Sequence, residues 1–449
     1  MSSRVAGPRL TRWLASLPWR FWERPLPSSS TDAAAADAAA APRLFRNPGF
    51  LSFLLARMVA VCATQIQAVV VAWQVYDLTR SPMALAYVGL AQFLPMLCLL
   101  PVAGDLIDRF NRKHVLMLSW GAGALCSAAL WWLAGHGEAG VNGVYAVLVA
   151  YGVTRAFSGP AMQSLLPQVV PREQLAQAIA ANSMIMRGSA VGGPLLGGVL
   201  YALGGGKLTY AVCFAGLALG ALLMLRVPMR PMATASRQSP AQGFFGRFAE
   251  GIRFIRSRPI VLGTISLDLF AVLLGGVVAL LPIYAKEVLH VGPTGLGMLR
   301  SAMAVGEVSA GLVLSMRPFQ THVGTRMLGA VAVFGLANLV FSLSHWFWLS
   351  LIALAVAGAA DMVSVYVRGT LVQFATPDDM RGRVNAVNML FIGSSNELGE
   401  FRAGTSAAGF GTVPAAVLGA LCTLGVVGAW AWLFPQLRRV NRFEQATQA

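Results

Sequence analysis

Charge is scarce in this chain. Only 12% of its 449 residues are Asp, Glu, Lys or Arg, against 56% hydrophobic residues, and that ratio excludes a single water-soluble core. Acidic residues are the scarcest, 18 against 34 Lys and Arg, for a net charge of +16. Such an excess can mark a nucleic-acid binder. Here the basic residues are spread over short stretches between apolar runs, with no nucleic-acid module among them, and that class is set aside. The five cysteines, Cys62, Cys98, Cys126, Cys213 and Cys422, fall inside apolar runs without paired spacing and read as small packing residues. The five histidines, His114, His136, His290, His322 and His345, are dispersed near loops and group into no ligand set. No nucleophile motif is present. The stretch "YALGGGKLT" imitates a phosphate loop but has Tyr201 where the first glycine belongs and Leu208 after Lys207. The sequence therefore predicts no enzyme, no cofactor and no metal. Unless a separate ATPase subunit exists, any transport draws on an ion gradient or on substrate flow.

What the chain does have is length and apolar runs of about 20 residues, the length that crosses a bilayer core as a helix. Twelve spans are expected, at 49–76, 83–105, 113–134, 142–165, 174–203, 208–227, 259–285, 294–316, 324–344, 346–372, 379–408 and 412–434. Loops on one side, with the leader and tail, carry nearly all the basic residues; the opposite loops hold only Arg80, Lys207 and Lys286. Lys and Arg are retained in cytoplasmic loops, which predicts that both termini are cytoplasmic. Residues 1–48 lack the uninterrupted apolar core of a secretory signal. Trp13, Trp19, Phe21 and Trp22 among arginines suit a segment lying on the lipid surface, followed by an Ala-rich linker. A transit peptide or a misassigned start are the alternatives.

The chain also repeats. Displaced by 206 residues, "PREQLAQAIAANSMIMRGSAVGG" aligns with "PDDMRGRVNAVNMLFIGSSNELG", matching Pro171 to Pro377, Asn182 to Asn388, Ser189 to Ser395 and Gly193 to Gly399. The displacement is about half the membrane region, so span five meets span eleven, as two parallel six-helix halves require. The expected organisation is a basic, Ala-rich leader (1–48), one six-helix half (49–227), a cytoplasmic linker (228–258), a second half (259–434) and a tail (435–449).

"GDLIDRFNRKHVL", residues 104–116, closely resembles the loop signature of the major facilitator superfamily, with Gly104, Asp108, Arg109, Arg112 and Lys113 in place and Asn111 where a glycine is usual. "GGPLLGG", Gly192–Gly198, resembles the span-five motif of proton-coupled antiporters. The region from "TPDDMRGRV" to "LFPQLRRV" is similar to the branch that contains the enterobactin exporter and macrolide efflux proteins. The resemblance implies an all-α integral membrane protein of two pseudo-symmetric six-helix halves in a bacterial inner membrane. It implies secondary active export, by proton antiport with alternating access, of a bulky amphipathic molecule: a catecholate or hydroxamate siderophore, or a drug. A multidrug or macrolide pump is the nearer alternative, and a non-transporting sensor or assembly factor on the same fold the farther. The implied partners are the substrate, protons and the bilayer, with a periplasmic or outer-membrane efflux partner as an addition and nucleic acid excluded.

Site candidates follow from charge inside spans, because an unpaired charge in hydrocarbon is costly and faces a cavity or a partner. In the superfamily's architecture, spans one, four, seven and ten line the cavity, which selects Arg57, Gln65, Arg155, Asp268 and Asp361 for the substrate. Asp268 and Asp361, near mid-span, are also candidates for the exchanged proton; a structural ion pair is the plain alternative for each. Gating falls to Gly104, Asp108, Arg109 and Arg112, with Asp108 expected to latch at the start of span eleven, where Thr376 is the cap, and to Gly193 and Gly197, which allow close helix approach, with Pro194, which removes a backbone hydrogen bond and bends the span. The stretch "SSNELGEFRAGTSA" puts Glu397, Glu400 and Arg402 inside span eleven. Glu397 stands about 27 Å along the helix from Asp379 and shares a face with Glu400, while Arg402 points elsewhere and would reach outward. The two carboxylates are expected to couple protons to an outer gate, apart from the main substrate site; a wetted helix end with capping charges would look the same.

Overall fold

A computed structural model describes residues 44–135, 140–229 and 244–447, excepting the side chains of Asp105, Asp108, Arg172, Phe244, Phe245, Arg247 and residues 446–447. Most of the leader, His136 and the first part of the linker therefore lie outside the described residues. Apolar runs become helices: Pro48–Thr79 (α1), Pro82–Arg109 (α2), Arg112–Gly135 (α3) and Gly140–Val169 (α4). The helical stretch Leu175–Leu225 is broken at Gly204 and Gly205, whose backbone angles are non-helical, into α5 before the break and α6 after it. Gly205 sits at φ +60, a conformation that glycine alone adopts readily, so the "GGGK" stretch is a turn and not a phosphate loop. The second half contains Pro259–Val288 (α7), Gly292–Met316 (α8), Val323–Leu343 (α9), Phe347–Ala375 (α10), Asp378–Phe410 (α11) and Thr412–Leu433 (α12).

Among the described residues, nine helical stretches are long and apolar enough to cross a membrane by length and composition. One of them is the broken α5–α6 stretch. The other two long helices, α4 with 30 residues and α11 with 33, fall outside that set, and they are the two that carry Arg155 and the Glu397–Glu400–Arg402 group. Both pack on other helices of the chain, α4 on α2 and α3, and α11 on α2, α7 and α12.

The same pairings recur in both halves. In the first, α2 packs on α4, and α3 packs on α6, where Gly123 abuts Leu217. In the second, α8 packs on α10 and α9 on α12. This is the parallel repeat that the 206-residue displacement predicts, and the fold is the all-α, two-half architecture expected. Between the halves run two seams, α2 with α11 and α5 with α8. Small residues make both possible: a Cβ on Gly404 would stand 2.9 Å from the Pro82 carbonyl, and one on Gly297 would stand 2.5 Å from the Pro194 carbonyl. We call the end where α1 starts and α12 finishes the terminal end, and the other the distal end.

Two local details differ from expectation. Thr376 does not cap α11: its hydroxyl donates back to the Val372 carbonyl (2.6 Å) as the buried end of α10, and Pro377 occupies the cap position. Part of the expected linker is a helix, Phe244–Ser257, whose Phe248, Ile252 and Ile255 join the apolar cluster of Val384 and Val387 on α11. Their spacing puts them on one helical stripe. Glu250 completes the docking with an ion pair to Arg383 at 3.3 Å.

Candidate functional site

The α2–α11 seam ends in a polar cavity of about 210 Å³ enclosed by α1, α2, α4, α7, α8 and α11. Its lining includes Gln65, Gln92, Arg155, Arg300, Glu397 and Glu400. α4 meets α2 backbone to backbone at Gly152, where any Cβ would strike the Gln92 carbonyl, and Arg155 emerges one turn further on. Its Nη1 donates to Glu397 Oε1 and to Gln92 Oε1, both at 3.4 Å. Arg155 belongs to the first half and Glu397 to the second, so this ion pair spans the halves. A Cβ on Gly89 would stand 3.5 and 3.6 Å from carboxylate oxygens of Glu397 and Glu400, which places both acids against the bare backbone of α2. Arg300, from α8, acts electrostatically on Glu400, and its Nε is buried without a hydrogen-bond partner among the described residues. A buried donor left unsatisfied is costly, so this nitrogen is a ready anchor for an acceptor on a guest molecule.

The cavity continues toward the terminal end. A hollow of about 310 Å³ shares Thr64, Gln65, Tyr151 and Arg155 with it and runs on past Met96, Met162 and Met186. Its wall is methionine-rich and adaptable, whereas the upper cavity is charged.

Distally the path is shut. Lys286 of α7 pairs with Asp77 of α1 and stands 5.4 Å over the Trp73 ring, while the Tyr76 hydroxyl donates to Glu287. Below these, Tyr76, Leu280, Leu281, Tyr284 and Leu296 belong to one buried apolar cluster that joins both halves. The distal closure is therefore built from the ends of α1 and α7. Glu397 and Glu400, expected at an outer gate apart from the substrate site, line the cavity wall beneath it. Arg402 does not reach outward: its Nε and Nη2 donate to the Leu273 and Gly276 carbonyls (3.2 and 3.3 Å), where the regular helix of α7 ends and leaves its last carbonyls free.

The remaining expected residues separate. Gln65 lines both hollows. Asp268 pairs with Arg368 of α10, both buried, inside the second half, and neither lines the cavities above. Asp361 is half-buried on α10 and acts electrostatically on Glu307 of α8. Arg57 is buried, its Nε has no hydrogen-bond partner among the described residues, and it lines neither hollow. Gly193 and Gly197 seat α5 on α1, where Cβ atoms would come within 2.5 Å of Gln65 Cβ and 3.2 Å of Ile66 Cα. Pro194 presents its carbonyl to Gly297 across the α5–α8 seam.

In the loop motif, Gly104 has open space where a Cβ would sit. Asn111 caps α3 by accepting from the Lys113 amide (3.0 Å), which accounts for an asparagine where glycine is usual. Lys113 Nζ donates to the Leu225 and Val227 carbonyls (3.0 and 2.8 Å), at the C-terminus of α6, where a cation is favoured. Arg109 and Arg112 lie at the α2–α3 connection, and the Asp108 side chain lies outside the described residues.

Gln92, Arg187, Arg300, Glu307 and Arg368 were not among the expected residues. Restricting the cavity to spans one, four, seven and ten hid the first four, since they stand on α2, α5 and α8; Arg368 stands on α10, within that restriction. A signal was present: Arg300 and Glu307 are seven apart on one apolar span and so share a face.

A family model described as transmembrane secretion effector matches residues 38–449. The Enterobactin exporter EntS of Citrobacter koseri is 28% identical over 345 residues, 76% of this chain and 81% of that protein. The protein of the same name from Shigella dysenteriae serotype 1 is 26% identical over 396 residues, 85% and 92% of the two chains. Among solved structures, a bacterial homolog of the human lysosomal transporter Spinster, in an inward-facing and occupied conformation, aligns with TM-score 0.66 at 15% identity, over 90% of this chain and 97% of that one. A bacterial homologue of the iron transporter ferroportin in an inward-facing state gives 0.64 at 17% identity, over 87% and 98%. At these identities the solved structures speak for the fold alone.

Proposed function

Because the chain belongs to the transmembrane secretion effector family of major facilitator transporters, and is a multi-pass membrane protein and no enzyme, we propose that it exports a bulky amphipathic anion-bearing molecule by proton-linked alternating access. A siderophore of catecholate or hydroxamate type is the preferred substrate. The observation that carries this reading is the Arg155–Glu397 pair: one ion pair both bridges the halves and lines the cavity, so a guest that competes for Arg155 changes the contact that holds the halves. Arg300 supplies a second cation for a phenolate or hydroxamate oxygen. The methionine-bearing hollow below it accepts the apolar body of the guest. Relatives that carry the name Enterobactin exporter support the same substrate class.

Under this reading the membrane is a bacterial inner membrane with both termini cytoplasmic, and the distally closed structure is the inward-facing state. Protons are the coupling ion, with Glu397, Glu400 and Asp361 as their carriers. Asp268, held by Arg368, serves structure. Residues 1–48 and the linker around 228–258 flank and join the two transporting halves on the cytoplasmic side.

Binding to the purified protein tests the substrate class. Iron-free catecholate, hydroxamate and a neutral macrolide are titrated in turn, following tryptophan fluorescence. Binding of an anionic siderophore that weakens in Arg155→Ala supports the proposal; tighter binding of the macrolide, unaffected by that variant, would reassign the chain to drug efflux.

A further inference from the structure

The second seam ends as the first one does. Along α5 and α8 the contacts advance a turn at a time: Gly198 abuts Pro293, Pro194 abuts Gly297, and the Ser301 hydroxyl donates to the Val191 carbonyl at 2.6 Å. The next turn of α5 presents Arg187 opposite the α8 segment that follows Ser301, which carries Glu307. Arg187 extends across the seam to α10, its Nη1 and Nη2 standing 3.9 and 4.0 Å from Met362 Sδ. Asp361 is the neighbour of Met362. α8 and α10 are held close by Gly306 against Ala355 and Gly358 against Met303, a Cβ on Gly311 of α8 would stand 3.7 Å from Arg187 Nη1, and Asp361 acts electrostatically on Glu307 across this contact. All three charged residues are half-buried.

Each seam thus ends with an arginine of the first half facing two carboxylates of the second: Arg155 with Glu397 and Glu400, Arg187 with Glu307 and Asp361. The first group lines the polar cavity. The second lines neither of the hollows described above.

We propose that Arg187, Glu307 and Asp361 form a second proton-binding site, separate from the substrate cavity, which locks the α5–α8 seam when its carboxylates are ionised and releases it when they take up a proton. The charges acting on Glu307 are Asp361 from α10 and Arg187 from α5. On its own helix, Arg300 is two turns away and acts on Glu400. The turn at the end of α7 that also touches α8 carries Lys286 and Glu287, both engaged by α1. With both carboxylates ionised, their two negative charges attract Arg187 across the seam, and the three-residue group carries one net negative charge. One proton neutralises it, and a second leaves Arg187 without a counter-charge. The sign follows: the lock is present at high pH and is lost as pH falls. An empty, deprotonated carrier is then held shut, which prevents leak. The inference relies on the transport reading for its physiological meaning only; its test uses protons and no substrate.

Ser301→Cys is placed in a background with the five native cysteines replaced, and its labelling by a maleimide is followed from about pH 8 to about pH 5.5, normalised to the denatured chain at each pH. Normalised labelling should rise several-fold as pH falls. Glu307→Gln and Asp361→Asn should each flatten the response, Arg187→Ala should give fast labelling throughout, and Arg187→Lys should keep the wild-type profile. A response abolished by Glu397→Gln and retained by Glu307→Gln and Asp361→Asn overturns the proposal, as does a flat profile in the unsubstituted chain. Hydrogen exchange of the wild-type protein gives an independent readout if a variant fails to fold: segments 186–191 and 301–308 must gain exchange at low pH after correction for intrinsic rates, and unchanged protection there also overturns it.

Discussion

Arg155 and Glu397 meet at 3.4 Å across the boundary between the two halves, and the same two side chains form the wall of the central cavity. Under the proposed function, closure and substrate recognition share one contact. Arg155→Ala and Glu397→Gln should each lower export by about tenfold or more, the equivalent of ~1.4 kcal/mol in the barrier. Arg155→Lys should retain part of the activity, since a point charge replaces a fork. The pair forms only with Glu397 ionised, so its contribution to closure is present at higher pH and fades as pH falls; Glu397→Gln should remove that part of the pH dependence. Initial export rates across pH for the three variants provide the check.

Asp268→Asn should act on stability and not on the cavity. Asp268 and Arg368 are 6% and 5% exposed, and removing one partner of such a buried pair typically costs about 3–5 kcal/mol. The variant should melt earlier in detergent, and replacing both residues with apolar ones of similar volume should recover most of the loss. A variant of unchanged melting temperature that no longer transports would instead make Asp268 part of the transport machinery.

Lys286→Ala with Glu287→Gln should loosen the distal closure. Both contacts of this closure, to Asp77 and to Tyr76, join α7 to α1. A cysteine introduced at Leu85, buried beneath it, should become several-fold more reactive from the distal side, with little change in substrate affinity from the terminal side. Unchanged reactivity would mean that the apolar cluster alone seals the path.

Gly297→Val should block seam closure, because even a Cβ there would stand 2.5 Å from the Pro194 carbonyl. Export should fall about tenfold or more while the protein remains folded. Gly104→Ala, where a Cβ meets nothing within 4 Å in this state, should leave the melting temperature of this state unchanged. Measuring both variants for flux and melting separates close packing from gating.

The fold was legible because its signals are long-range in composition: apolar runs set the helices, the 206-residue displacement set the halves, and Gly204–Gly206 announced the break between α5 and α6. Arg155, Gln65, Glu397 and Glu400 were legible as charged or polar residues in spans, and the structure brings them together. Their arrangement was not legible, because sequence gives depth along a helix but not the rotation of one helix against another. Asp268 looked equivalent to Asp361 until α10 placed Arg368 beside it. Arg402 looked free until the end of α7 supplied carbonyls for it. Arg187 and Glu307 stand on helices that a four-helix cavity ignores, and only the α5–α8 seam brings them together.

Accumulation of a labelled iron-free catecholate siderophore in everted membrane vesicles tests the central claim most directly. The account predicts uptake that requires an imposed proton gradient, collapses on adding a protonophore, and falls about tenfold or more in Arg155→Ala. Vesicles containing the wild-type protein that accumulate no more siderophore than vesicles without it, or that accumulate it equally after the gradient is collapsed, would contradict proton-linked siderophore export.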